Sequence, residues 1–116
     1  QIEEKIDGII YETGWYKYFN KPSTFYGSNR PIIPERLTEI STAMDIKFFG
    51  CDLPSVDASG SKEKPVHYSF LGLDIIIFES LNNLNQLPLL KPFKFYGFPL
   101  PFEGLDGSPV RAVGVI

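Results

Sequence analysis

A single histidine, His67, and the carboxylate of Glu79 twelve positions later are the residues here best suited to hold a divalent cation. An imidazole nitrogen and a carboxylate oxygen are ordinary donors to zinc, and to manganese as the alternative. Each residue also has a plainer reading. A lone histidine is more often a satisfied core or surface residue than a ligand. Glu79 follows the apolar run Ile75–Phe78, where a carboxylate is costly to bury unless paired or coordinated. It would serve equally as an anion near the start of a helix at Leu81. A turn at Gly72 would let a short helix carrying His67 fold back over that strand, bringing the ring towards Glu79. Two donors do not hold a catalytic ion, which takes three or more protein groups.

Other polar and aromatic candidates surround this pair. Asp52, Ser55 and Asp57 are placed either to orient ligands from behind or to form a turn and capping cluster around Pro54. The capping reading is the commoner. From Trp15 to Tyr26 the chain holds Trp15, Tyr16, Tyr18, Phe19, Phe25 and Tyr26, with neither a helical nor a strand period. Such a segment packs under a neighbouring element more often than it lines a pocket. Trp15 and Phe19 are the rings to stack on an aromatic substrate, with core packing an equal alternative, and the segment also suits an interface. Asp106-Gly107 is a tight-turn signal. Arg111, a charge in an apolar stretch, is expected to pair with an acid and is given no catalytic role.

The elements that must position these residues alternate. Gly8 to Glu12 reads as a strand. Pro34 to Met44 reads as a helix, with Pro34 at its first position and Leu37, Ile40 and Met44 on one face. Ile46 to Cys51 reads as a strand, and Pro65 to Leu71 as one or two helical turns stopped by Gly72. Leu73 to Phe78 is the most strand-like stretch, apolar enough to be buried on both faces. Leu81, Leu84 and Leu87 mark a short helix closed by Pro88. Strands at Phe93 to Phe98 and Val110 to Ile116 complete an α/β order. No internal repeat or low-complexity tract interrupts it.

Composition narrows the function classes. The 116 residues suit one domain or a piece of one, with 43% hydrophobic and 22% charged residues, a globular balance. Net charge is −3 without a run of Lys or Arg, which argues against nucleic acid as a partner. The longest apolar run falls far short of the roughly 20 residues that cross a bilayer. One cysteine, Cys51, permits no intrachain disulfide, so a reduced, cytoplasmic setting is the default. The chain opens on Gln1 and reads as cut from something longer.

Several strings, taken in order, resemble one family. They are Thr13-Gly14-Trp15, Cys51-Asp52-Leu53-Pro54-Ser55-Val56-Asp57, His67, Phe78-Glu79-Ser80-Leu81-Asn82-Asn83-Leu84, and Gly104-Leu105-Asp106-Gly107-Ser108-Pro109-Val110-Arg111-Ala112-Val113. The chain resembles the metal-dependent cyclase family, which includes bacterial kynurenine formamidase and isatin hydrolase. In that family an early His-x-Gly-Thr-His-x-Asp-x-Pro-x-His segment supplies most metal ligands. A later histidine and a glutamate twelve residues beyond complete the site, and His67 and Glu79 match these. A chain with one histidine cannot contain the early segment, so residues 1–116 look like the C-terminal half of one such domain.

The resemblance implies a swivelling β/α/β fold, represented by a mixed sheet and short helices that share their core with an absent N-terminal half. It implies a metal-dependent hydrolase of amide or lactam bonds, with zinc as the first choice of cofactor. The substrate would be a small molecule such as N-formylkynurenine, cleaved to kynurenine and formate, and the protein a homo-oligomer. This half alone is expected to bind metal poorly and to be inactive. An isatin hydrolase, a polyketide-type cyclase or dehydratase, and a non-catalytic binding module are the alternatives.

Overall fold

A computed structural model of the protein describes residues 5–116; the reading of the opening segment from Gln1 lies outside them. The chain divides into two compact units, Gln1–Leu84 and Asn85–Ile116. The first carries three strands, β1 (Gly8–Tyr11), β2 (Phe48–Cys51) and β3 (Ile76–Phe78), in the order β1-β2-β3. All pair in parallel, with Gly8 opposite Phe48 and Phe48 opposite Ile76. Parallel neighbours need crossover connections. The longer helices provide them: α2 (Glu35–Ala43) lies between β1 and β2, and α3 (Pro65–Leu71) between β2 and β3. A one-turn helix, α1 (Pro22–Phe25), precedes α2. Right-handed crossovers that step the same way across a sheet put both helices on one face, and α2 and α3 do touch.

Apolar burial between that helical layer and the sheet forms the core. Phe49, Cys51, Leu53, Phe70 and Ile75 are its centre. The helix expected from Pro34 begins at Glu35, because Pro34 keeps an extended ψ of 135° and caps the helix. Leu37 and Met44 pack inward as expected, but Ile40 is 39% exposed and Ser41 is fully buried in its place. The inward face runs through the i+4 position from Leu37. The Ser41 hydroxyl is satisfied there, donating to the Leu37 carbonyl at 2.7 Å.

Helix α3 does not end by a left-handed glycine at Gly72, whose φ is −64°. The left-handed residue is Asp74, with φ 58°. The Asp74 N–H donates to Leu71 O at 3.1 Å and the Ile75 N–H to Phe70 O at 2.9 Å. This pair of bonds is a Schellman closure, and the accompanying apolar contact is here drawn from Phe70 and Ile75, both in the core.

Three further expectations are corrected. The strand foreseen from Leu73 begins at Ile76 and is not buried on both faces, since Leu73 is 58% and Ile76 59% exposed. It is an edge strand of a sheet whose crossovers cover one face. The helix marked by Leu81, Leu84 and Leu87 shrinks to a 3-10 turn, Leu84–Gln86. Ser80 and Asn83 take positive φ angles that interrupt any helix, and the N–H groups of Ser80 and Leu81 instead bond Leu53 O and Cys51 O. Trp15–Tyr26 is not wholly irregular either: it contains a 3-10 turn, Trp15–Tyr18, and α1.

The second unit is an antiparallel ribbon of β4 (Lys94–Pro99) and β5 (Val110–Val115), with Lys94 opposite Val115 and Pro99 opposite Val110. The left-handed residue of its connection is Gly104, with φ 73°, rather than Gly107; residues 100–109 make too long a link for a two-residue turn. Arg111 is exposed opposite Phe98, and no acidic partner is found for it among the described residues. No described helix is long and apolar enough to cross a membrane.

Candidate metal centre

Parallel pairing brings the carboxyl ends of β1, β2 and β3 to one edge of the sheet, where α/β folds place their ligands. Thr13 follows β1, Asp52 follows β2 and Glu79 follows β3. The loop after β2 carries Asp57, and α3 then delivers His67 in its first turn.

Asp57 organises this region. Its side chain is 4% exposed, and it accepts the Val66 N–H at 2.9 Å on Oδ1 and the His67 N–H at 3.0 Å on Oδ2. The His67 Nδ1 atom lies 2.7 Å from that same Oδ2. Ser55 Oγ accepts the Asp57 N–H at 3.1 Å. Burial pushes the Asp57 carboxyl up, but the His67 and Val66 backbone bonds and the imidazole outweigh it and hold the group below the usual aspartate range.

With Nδ1 directed at Asp57, the other ring nitrogen faces Glu79, and Nε2 lies 3.1 Å from Glu79 Oε1. That oxygen also accepts the Val56 N–H at 3.3 Å. Two donors on one tetrahedral zinc ion, each about 2.0–2.1 Å from it, stand roughly 3.4 Å apart. The spacing of Nε2 and Oε1 is close to that edge, so the donor types and their separation fit a shared divalent cation. Between them a proton can satisfy the pair in the ion's place. No group of three or more His, Cys, Asp or Glu able to hold a metal occurs among the described residues. The pair offers two positions of a coordination sphere.

The remaining candidates divide. Asp52, fully buried, accepts the Thr13 N–H and hydroxyl at 3.0 and 2.8 Å and the Tyr16 N–H at 3.4 Å. It therefore ties the loop after β1 to the end of β2. Trp15 packs against the core, and its Nε1–H donates to Phe25 O at 3.1 Å. Phe19 is 51% exposed, edge-on to Phe25 at 5.5 Å. Cys51 is completely buried, and desolvation, followed by the nearby Glu79 and Asp52 charges, pushes its thiol up to about 12 against an opposing backbone hydrogen bond from Leu53.

Arg30 is the participant that sequence reading missed, because it lies in a polar stretch without period or motif. Its Nη2 donates to Asp57 O at 3.1 Å.

Comparison with known proteins follows the same lines. The kynurenine formamidase of Geobacillus thermodenitrificans (strain NG80-2) is 33% identical over 106 residues, covering 90% of this chain and 46% of that protein. The chain is a partial match to the cyclase family. The kynurenine formamidase of Salinibacter ruber (strain DSM 13855 / M31) is 34% identical over 83 residues, 72% of this chain and 38% of its own length. A solved isatin hydrolase, bound to the product analogue thioisatinate, superposes with a TM-score of 0.82 at 23% identity, over 94% of this chain and 45% of that one. A potential metal-dependent hydrolase with cyclase activity superposes with a TM-score of 0.54 at 20% identity, over 72% of this chain and 40% of that one. At these identities the superpositions establish the cyclase-like fold. No family model matches the chain. The chain spans about half the length of the curated relatives it matches.

Proposed function

We propose that this chain is the C-terminal half of a metal-dependent hydrolase of amide or lactam bonds. The reading is of arylformamidase type, releasing formate and kynurenine from N-formylkynurenine. It is carried by one observation: His67 is held by Asp57 at Nδ1 while Nε2 and Glu79 Oε1 stand 3.1 Å apart at the carboxyl edge of a parallel sheet. The kynurenine formamidases it resembles support the substrate class.

In this reading His67 and Glu79 ligate zinc, with manganese the alternative, and the N-terminal half supplies the other donors and a proton-transfer histidine. Bound zinc would acidify water and polarise the scissile carbonyl. Asp57 fixes the imidazole and Ser55 fixes Asp57. Opening of isatin is the second reading, favoured by the superposition on isatin hydrolase. A homo-oligomer in a reducing cytoplasm is proposed for the complete enzyme.

The test uses the full-length protein purified without chelator. Stoichiometric zinc or manganese is expected, with formate release from N-formylkynurenine abolished in His67→Ala and metal content lost in Glu79→Gln. Full activity in His67→Ala, or a wild-type protein free of either metal, would sink the proposal. Isatin opening without formate release selects the second reading.

A further inference from the structure

Arg30 is half-buried between two stretches far apart in the sequence. Its Nη1 donates to Tyr26 O at 3.4 Å and its Nη2 to Asp57 O at 3.1 Å. Its Nε is buried without a hydrogen-bond partner, and no described carboxylate forms an ion pair with it. Partial burial of a cation against carbonyls alone is unfavourable, so the placement calls for a compensating role. A guanidinium suits the place because its rigid planar fork can engage separate acceptors at once, which an ammonium does less well.

The second acceptor explains why the position matters. Every polar group of Asp57 is engaged: the N–H by Ser55, the carboxylate by Val66 and His67, and the carbonyl by Arg30. Of these, only the Arg30 contact reaches outside the loop and helix from Ser55 to His67. It fastens Asp57 to the residues that close the aromatic segment.

We propose that Arg30 is a positioning residue for His67, stapling the Asp57 backbone to the aromatic segment and thereby fixing the carboxylate that orients the imidazole. The consequence for metal capture rests on the proposed role of His67; the staple itself does not. Releasing the carbonyl frees the backbone at Asp57 to shift, and any displacement of its Cα carries the carboxylate with it. The imidazole then loses the partner that selects which ring nitrogen is presented.

The test reads the ring directly, by nitrogen and proton magnetic resonance of the metal-free full-length protein, with the His67 signals assigned from their loss in His67→Asn. A protected, downfield Nδ1–H signal is expected in the wild type. In Arg30→Met that signal is expected to disappear while circular dichroism stays native, and zinc affinity to fall about tenfold. A wild-type Nδ1–H signal in folded Arg30→Met overturns the proposal. If Arg30→Met does not fold, the wild-type guanidinium decides. Separately resolved, exchange-protected Nη protons support the staple, and a single averaged Nη signal overturns it. Absence of metal from the wild-type protein would defeat the functional reading and leave these ring measurements standing.

Discussion

The Nδ1 atom of His67 lies 2.7 Å from Asp57 Oδ2, and the backbone N–H of the same histidine donates to that oxygen at 3.0 Å. One carboxylate therefore starts helix α3 and aims the ring carried in its first turn. Asp57→Asn keeps the size but removes the charge and one of the two acceptor oxygens. Zinc affinity of the full-length protein is expected to drop about 10–100-fold, and stability by about 1 kcal/mol through the weakened cap. Chelator competition and urea unfolding measure the two effects. Unchanged zinc affinity would remove Asp57 from the site.

The same carboxylate predicts an acid limb in stability. Its folded value lies below that of an unfolded aspartate, which is about 3.9. Its contribution is thus complete above the unfolded value and is lost as pH falls through the folded one. Urea midpoints measured downward from pH 6 should decline less steeply in Asp57→Asn than in the wild type. Parallel curves would show that another group drives the acid loss.

Cys51 predicts an alkaline counterpart. The buried thiol is pushed up to about 12, whereas an unfolded cysteine ionises near about 8.5. Unfolding above that pH releases a proton, so stability falls as pH rises past about 8.5 towards the folded value. The native thiol should resist a thiol reagent at pH 8 and react once denaturant is added. Rapid labelling of the Cys51 peptide in the native protein would contradict its complete burial.

Asp74 holds a left-handed conformation, φ 58°, to close helix α3. Glycine adopts that conformation without a Cβ penalty. Asp74→Gly is expected to raise stability by about 0.5–1 kcal/mol, read as a higher urea midpoint with unchanged slope. A lower midpoint would mean that the aspartate side chain contributes something its backbone geometry does not reveal.

Local patterns in the sequence reveal α2, α3 and the order of the strands, because apolar periodicity and proline placement act within a few residues. A fold-back over the strand is enough to expect His67 near Glu79, and their Nε2 and Oε1 atoms stand 3.1 Å apart. What the sequence hid was non-local. Ser41, not Ile40, takes the buried position one turn after Leu37, and Ser80 leaves helical geometry with its N–H bonded to Leu53 O in the loop after β2. At Asp57 the sequence leaves capping and ligand orientation as alternatives. The structure shows one carboxylate capping the helix and gripping the ring, and its exterior fastening at Arg30 carries no signature in the surrounding residues.

The double engagement of Asp57 has a consequence for when disorder is given up. Fixing a side chain costs conformational entropy whenever it happens. Here the oxygen that accepts the His67 N–H also holds its ring, so the contact that starts α3 is the one that fixes the imidazole. On the proposed metal-binding reading, a cation would meet an imidazole already held by Asp57, so its capture would carry little of that ordering cost. Rigidity in seven residues of helix becomes, at its first turn, readiness.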